Sequence, residues 1–218
     1  MSSCPLCYGN ESSLFNKDET GEYRLCKRCS LVYVLDEEHL NEADEKARYD
    51  LHTNTPEDEG YRKYLSKVST PVLERVKKGG KGLDFGSGPG PTLSLLFEEA
   101  GCDMNIYDHF YAKDEKVLEL KYDFITSTEV VEHLYKPREV LDRLWNMLEP
   151  EGLLCLLTQP YVEQTVFEKW YYKKDPTHVC FFALETMNWL AIQWNAELEI
   201  ISKDVFIFKR KSPQIKPI

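Results

Sequence analysis

Positive charge is in short supply: 27 Lys and Arg face 37 Asp and Glu among 218 residues, a formal net charge of −10. A surface built for non-specific nucleic-acid binding needs the opposite balance, so that class is disfavoured at the outset. No apolar run approaches the roughly 20 residues of a membrane span. The first residues, MSSCPLCYGN, carry neither the basic nor the apolar region of a secretory leader. Internal repeats are absent. A cytoplasmic, reducing location is the expectation, and the seven cysteines are expected to be thiols or ligands rather than disulfides. What is present suffices for a packed core: 42% apolar residues and 12% aromatics fit one α/β domain with a small appendage.

Four cysteines are ordered. Cys4-Pro-Leu-Cys7 and Cys26-Lys-Arg-Cys29 make two C-x-x-C knuckles with eighteen residues between them. Each knuckle turns two sulfurs toward one point, and two knuckles complete the tetrahedral sulfur set that zinc prefers. Chance pairs or disulfides are the bland alternative. Residues 1–35 hold too little core to fold unaided, so the metal would supply their stability. With four thiolate ligands the zinc would be structural and do no chemistry.

Beyond the knuckles, SLVYVL reads as a short strand and Asp36–Asp50 as an acidic, helical connector with a solvated face. Thr55-Pro56-Glu57-Asp58 carries helix-start signals, with Thr55 as cap and Pro56 at the first position. Tyr61, Tyr64, Leu65, Val68, Val72 and Val76 keep helical spacing, and Pro71 is expected to divide two helices. The pattern then alternates: strand GLDF, helix PTLSLLFEEAG, strands MNIYD and YDFITST, a helix Pro137–Leu148 and strand GLLCLLTQP. An aromatic segment from Tyr161 to Phe182, the helix LETMNWLAIQWN and the strands ELEIIS and VFIFKRK close the chain. Such alternation implies an α/β, doubly wound, mostly parallel sheet. The final two strands are joined too closely for a crossover, so they form an antiparallel hairpin.

The stretch LDFGSGPG puts Gly86, Gly88 and Gly90 directly after a strand and before a helix. A ligand therefore lies at the carboxyl end of the sheet. There is no Gly-Lys-Ser/Thr to hold a nucleoside triphosphate, and Pro91 stands where a dinucleotide fingerprint wants its third glycine. Asp84 would repel pyrophosphate and suits a ligand with an ammonium group.

On these residues LDFGSGPG resembles motif I of the class I S-adenosylmethionine-dependent methyltransferases, and the likeness runs over residues 80–210. It implies a Rossmann-like core. It also implies cofactor contacts from Asp84 (the amino group), Gly86, Ser87, Gly88 and Gly90 (the methionyl part), Asp108 in NIYDHF (the ribose diol), His109 and Glu129. The interval from Asp108 to the strand DFITS is only fourteen residues, too short for the family's usual helix, strand and helix. The sheet is therefore expected to be reduced on its third-strand edge, with VLEL as a vestige. Phe110, Tyr111 or backbone near Lys121–Asp123 would replace the missing adenine contact. The organisation that follows is a zinc ribbon over 1–35, a helical linker and cofactor lid over 36–79, the methyltransferase core over 80–211 and a tail over 212–218.

Methyl transfer from a sulfonium needs alignment and, for a hydroxyl acceptor, a base. Glu129, Glu132 and His133 have spacings of three and four, which share one side of a helical turn. With the distant His178 they resemble the divalent-metal site of small-RNA 2′-O-methyltransferases, which implies magnesium or a softer divalent ion at Glu129, Glu132, His133 and His178. The plainer alternative has Glu129 capping a helix or touching cofactor and His133 supporting the pocket. His178, His133 and His52, the last in a pre-core segment that would fold over the cofactor, are the candidate catalytic groups. The expected activity is methylation of a small-molecule hydroxyl of sugar, phenol or quinol type. An RNA methyltransferase using the ribbon is the rival, weakened because residues 1–35 show no basic stripe. A non-catalytic cofactor-binding module is the third reading.

Overall fold

A computed structural model describes residues 3–51 and 55–212, so His52 lies outside the described residues. The chain starts in the ribbon, where a hairpin not evident from the sequence fills the space between the knuckles: β1 (Ser12–Asp18) pairs antiparallel with β2 (Gly21–Cys26). Asp18 shapes its turn, accepting hydrogen bonds from the backbone N–H and hydroxyl of Thr20 at 2.9 and 2.5 Å. β3 (Val32–Val34) continues the sheet. After a 3₁₀ turn at Asp36–Glu38 comes α1 (Glu42–Tyr49), capped by Asn41, whose side chain accepts from the N–H groups of Ala43 and Asp44.

Helix α2 spans Glu59–Leu73 with Asp58 as its cap, so the Thr55-Pro56 signal lies just outside. Asp58 wins because its carboxylate reaches the orphan N–H of Tyr61 at 3.0 Å. Pro71 does not divide the segment. It sits in the last turn, where few helical bonds remain to be lost, and buried Leu65, Val68 and Val72 hold that face against the sheet.

The core runs β4 (Lys81–Phe85), α3 (Thr92–Glu99), β5 (Asp103–Tyr107), β6 (Tyr122–Thr128), α4 (Pro137–Met147), β7 (Leu148–Leu157), α5 (Gln164–Phe167), β8 (Cys180–Phe181), α6 (Leu184–Trp194), β9 (Glu197–Ile200) and β10 (Val205–Lys209). Its six-stranded sheet has the order β5-β4-β6-β7-β10-β9. Strands β5, β4, β6 and β7 are parallel, and β10 is reversed against both neighbours. Helices α2 and α3 cover one face, with Phe97 of α3 packed among Phe124, Cys155 and Ile207 of the sheet. The other face packs Leu141 and Leu144 of α4 and Met187 and Leu190 of α6 into a core continuous with the ribbon. The fold is thus the expected doubly wound one, with a single 3₁₀ turn at Glu115–Glu119 where the third strand would be and β5 left at the edge. No helix among the described residues is long and apolar enough to cross a membrane.

The ribbon is stitched to the core. Its four-stranded sheet has the order β1-β2-β3-β8, and β8 comes from the aromatic segment after β7, which Tyr23 of β2 also meets through a hydrogen bond to the Lys173 carbonyl, 150 residues away in sequence. Val32 pairs with Phe181 and Tyr33 with Cys180.

Candidate functional site

At the carboxyl end of the sheet the chain leaves β4 through Gly86 and Gly88, both with positive φ (80° and 65°). A Cβ on Gly86 would be driven into the side chain of Val130, whereas one on Gly88 would meet open space. The amides of this turn face inward. Gly86 and Ser87 donate to the carbonyl of Tyr107 at 2.7 and 3.2 Å, and Gly88 donates to Oδ2 of Asp108 at 2.9 Å. A phosphate cradle needs these N–H groups pointing at the ligand, so the turn is not one. Oδ1 of Asp108 accepts from Phe110 and Tyr111 at 2.8 and 3.0 Å, and Asp108 and Ala112 pair across a tight loop.

A cavity of about 960 Å³ opens over this turn. Gly86, Ser87, Gly88, Gly90, Asp108 and His109 line one end, and Glu129, His133 and His178 the other. Asp84 is not on its wall. It lies 3% exposed, accepting from Thr126 Oγ1 at 3.0 Å, and burial pushes its carboxyl up to about 7, opposed by that hydrogen bond and aided by the charge of Asp108. The hydroxyls of Ser87 and Thr128 reach the cavity wall buried and without a protein partner. Open space at Gly88, two orphaned hydroxyls and inward amides suit a polar, phosphate-free ligand such as S-adenosylmethionine. Phe110 and Tyr111 also line this end, while Lys121 faces a separate hollow and Asp123 accepts from the N–H of Lys81. That removes Lys121–Asp123 from the candidate contacts, because the start of β6 lies at the opposite end of the sheet.

Helix α1 closes over both ends. Glu42 meets His109 at 3.3 Å, Asp50 accepts from Tyr111 at 2.7 Å, and Arg48 gives two hydrogen bonds, 3.0 and 2.8 Å, to Oδ2 of Asp175. Although partly buried, Asp175 stays well below the ordinary carboxylate range, because Arg48 and Thr177 hydrogen-bond its charged form. Tyr49 sets its ring edge-on to His133 at 5.3 Å.

The Glu129–His133 stretch is not an α-helical turn. Glu129 has a left-handed φ of 54°, and only Val131–His133 form a 3₁₀ turn. The twist sends Glu129 and Glu132 to opposite sides of one hydroxyl. Tyr172 Oη stands 3.0 Å from Glu129 Oε2 and in a short hydrogen bond with Glu132 Oε1. Tyr64 donates to the other oxygen of Glu129 at 2.8 Å, and Thr158 to that of Glu132 at 2.9 Å. Tyr172 has one proton for two carboxylates, so the pair is satisfied when Glu132 carries a proton and Tyr172 donates to Glu129. Glu132 is fully buried, and burial together with the charge of Glu129 pushes it up to about 8. In the sequence Tyr64 looks like helix packing, while Tyr172, with Trp170 and Tyr171, reads as lining for an apolar acceptor or packing for the lid, not as a partner of the two glutamates.

His133 and His178 meet with ring centroids 4.5 Å apart. Nδ1 of His133 donates to the carbonyl of Thr177 at 3.2 Å and Nδ1 of His178 to that of Tyr172 at 2.7 Å. A carbonyl only accepts, so the neutral rings carry their lone pair on Nε2. Glu132, His133 and His178 each bring a ligand atom within 4.8 Å of the others, and Glu129 falls outside that group.

In the ribbon, Cys4 and Cys29 sulfurs are 3.6 Å apart and those of Cys7 and Cys26 3.4 Å, all buried and all four within 4.8 Å of one another. Gly9 and Arg28 N–H groups donate to Cys7 and Cys26 sulfur. Tyr8 and Ser30, each just past its knuckle, both turn left-handed at φ of 56° and 58°. The hydrogen bond from Cys29 brings Cys4 down to about 6, and burial pushes Cys7 up to about 12. Such a cluster does not shed all four protons without a cation at its centre, and four sulfurs in this arrangement fit zinc.

The sequence profile of the methyltransferase domain matches residues 58–203. Among solved structures, magnesium protoporphyrin IX methyltransferase from Synechocystis PCC 6803 with bound SAH is 14% identical, with a TM-score of 0.54 over 78% of this chain and 94% of that one. A SAM-dependent methyltransferase from Thermotoga maritima is 14% identical at a TM-score of 0.46, covering 68% and 89% of the two chains. An O-methyltransferase family protein from Burkholderia thailandensis is 13% identical at 0.48, covering 78% and 64%. No curated protein sequence matches. At these identities the Synechocystis structure speaks for the fold alone. The profile covers most of the chain and ends within the closing hairpin, and the inward-facing glycine turn answers to motif I: the chain belongs to the methyltransferase-domain family and is a class I S-adenosylmethionine-dependent methyltransferase.

Proposed function

We propose that this methyltransferase acts on a hydroxyl of a small, uncharged molecule, with His178 as general base, in a reducing, cytoplasmic setting that suits its unpaired cysteines. The histidine pair on the cavity wall carries the reading. With Nδ1 donating to the Tyr172 carbonyl, His178 keeps its lone pair on Nε2, and His133 meets it edge-on with its own Nδ1 held by the Thr177 carbonyl. When bound, S-adenosylmethionine supplies a methyl carbon on a positively charged sulfur. Nε2 of His178 would take the proton of the acceptor hydroxyl while its oxygen displaces the sulfur from the methyl carbon, the C–S electron pair staying on sulfur to leave the neutral thioether, and the proton would then pass to solvent. In this reading Asp108 holds the ribose hydroxyls, Ser87 and Thr128 offer hydroxyls to the same ligand, and buried Asp84 favours the ammonium from beneath the turn, supported by the cavity lining. Four cysteines hold zinc in the ribbon, which takes no part in the chemistry.

Charge on the cavity wall supports the choice of acceptor. Glu42, Glu45, Asp108, Glu129 and Asp175 outnumber Lys136 and Arg143, which repels phosphate and carboxylate groups and disfavours RNA. Incubation with methyl-labelled S-adenosylmethionine and fractionated cell extract tests this. Label is expected in the uncharged small-metabolite fraction; label in RNA or protein overturns the acceptor class, and tight SAH binding with no labelled product points to a non-catalytic module. The three-ligand group Glu132, His133 and His178 favours a second reading, in which a divalent ion displaces the Glu132 proton and holds the acceptor oxygen. Equilibrium dialysis with Mn²⁺ separates the two: no bound Mn²⁺ beyond the ribbon's metal leaves the histidine base alone.

A further inference from the structure

We propose that the zinc ribbon positions His178, so that metal in the Cys4–Cys7–Cys26–Cys29 cluster governs the acceptor half of the site and leaves the cofactor half untouched. The inference rests on the reading of His178 as the acceptor base. The segment from Tyr161 to Phe182 carries both Tyr172 and His178, and the ribbon grips it along its whole length. Tyr161 Oη donates to the carbonyl of Ser30 at 2.6 Å, immediately after Cys29. Gln164 donates to the Phe15 carbonyl at 2.5 Å. Lys173, 3% exposed, pairs with Asp18 of the hairpin turn, and Tyr23 Oη donates to the Lys173 carbonyl at 3.3 Å. Phe15 and Tyr23 set their rings edge-on to Phe167 at 5.2 and 5.1 Å.

The last grip is on the neighbour of His178. The N–H of Val179 donates to the Glu132 carbonyl at 2.8 Å, while its carbonyl accepts from Val34 of β3 at 2.9 Å. The residue next to the histidine is therefore clamped between core and ribbon, and the pairing of β3 with β8 continues the clamp through Cys180 and Phe181. The ribbon end of these contacts depends on the knuckles. Ser30, whose carbonyl holds Tyr161, owes its left-handed turn to the Cys26–Cys29 knuckle, where its N–H donates to the Cys26 carbonyl. A unit this small loses its order without its metal. Among the described residues, the glycine turn and Asp108, by contrast, bond to each other, to the Tyr107 carbonyl, to the 108–112 loop and to Thr92 at the start of α3, and to no residue of the ribbon.

The test compares the full-length protein loaded with zinc and stripped by chelator under reducing conditions, with metal content checked in each. Amides of Val179, Cys180 and Phe181 are expected to exchange at least about tenfold faster after stripping, while SAH affinity by calorimetry moves by less than about threefold. The ring-nitrogen NMR signature of a proton fixed on His178 Nδ1 is expected to disappear. Unchanged exchange at 179–181, or SAH affinity falling together with the metal, overturns the proposal, the latter because the ribbon then merely holds up the whole fold. Should stripping unfold the chain, the zinc-retaining double variant Asp18→Asn, Tyr161→Phe replaces it, expected to raise exchange across 171–182 and to shift the pH profile of label transfer. Asp18→Glu in the Tyr161 background restores the ion pair and is expected to rescue both; no change in the double variant overturns the proposal. Exchange and NMR need no acceptor, so a protein that labels nothing defeats the reading of His178 as base without obscuring this result.

Discussion

The hydrogen bonds that shape the glycine turn and hold Asp108 run between residues 86 and 112 and are made largely by backbone, with His109 and Tyr111 beside them reaching out to Glu42 and Asp50. Around His178 they draw on Tyr64, Glu129, Glu132, Thr158 and Tyr172 and, through Val179, on a ribbon strand at Val34. One end of the cavity is a local construction and the other an assembly of distant segments. A local site survives damage elsewhere; an assembled one inherits the stability of every part that supports it.

The sharpest way to separate the two ends is His178→Ala. Methyl transfer in single turnover is expected to fall about 10²–10⁴-fold with SAH affinity unchanged. Gly86→Ala should do the reverse. Its Cβ collides with Val130 and the residue must keep a positive φ, so overpacking and strain together cost about 3 kcal/mol, or about a hundredfold in SAH affinity by calorimetry. If either variant damages both ends equally, the contrast fails.

The pH dependence of stability is next in size. Asp84 moves from an ordinary 3.8 up to about 7 on folding, so between those values the unfolded chain has already lost the proton that the folded chain keeps. Stability from this acid is therefore greatest below pH 4 and declines as pH rises to about 7, by about 2–4 kcal/mol. Glu132, raised from 4.5 to about 8, extends the decline by about one further pH unit. Asp175 has the opposite sign: its stabilisation is present above its ordinary pKa and is lost as pH falls through its lowered one. Thermal melts of the ligand-free protein from pH 5 to 8 should show the net decline, SAH should flatten it by supplying an ammonium near Asp84, and Asp84→Asn should remove the Asp84 part. A slope that SAH leaves untouched would separate Asp84 from the cofactor.

Tyr172→Phe removes the hydroxyl between two carboxylates and is expected to cost about 1–3 kcal/mol in denaturant unfolding, all of it on the assembled side. Arg48→Met breaks a half-exposed ion pair to Asp175 and is expected to cost under about 1 kcal/mol, with a small rise in the SAH dissociation rate as the visible effect.

The same division explains what the sequence disclosed. LDFGSGPG, Asp108 and the two knuckles are short-range patterns, and each lies in the structure near where its spacing puts it. So do the reversed last strand and the shortened edge, because linker lengths decide both. The expectation for Glu129, Glu132 and His133 erred at the backbone. Helical spacing was the only guide, and a left-handed Glu129 is invisible to periodicity. The Tyr64–Glu129–Tyr172–Glu132 chain joins residues more than a hundred positions apart, and the strand that carries β8 to the ribbon is two residues long. Nothing local could have announced them. Pro71 teaches a smaller lesson: a proline near a helix end costs little when the face beneath it is buried.

The missing strand has a kinetic consequence. With β5 at the edge of the sheet, the wall outside Asp108 is furnished by α1 and its C-cap, where Glu42, Lys46 and the capping Asp50 engage His109 and Tyr111. The same helix reaches Asp175 and His133 at the other end through Arg48 and Tyr49. A single eight-residue helix thus touches both groups of residues, so loosening it is expected to shorten the residence times of the spent cofactor and of the methylated product together.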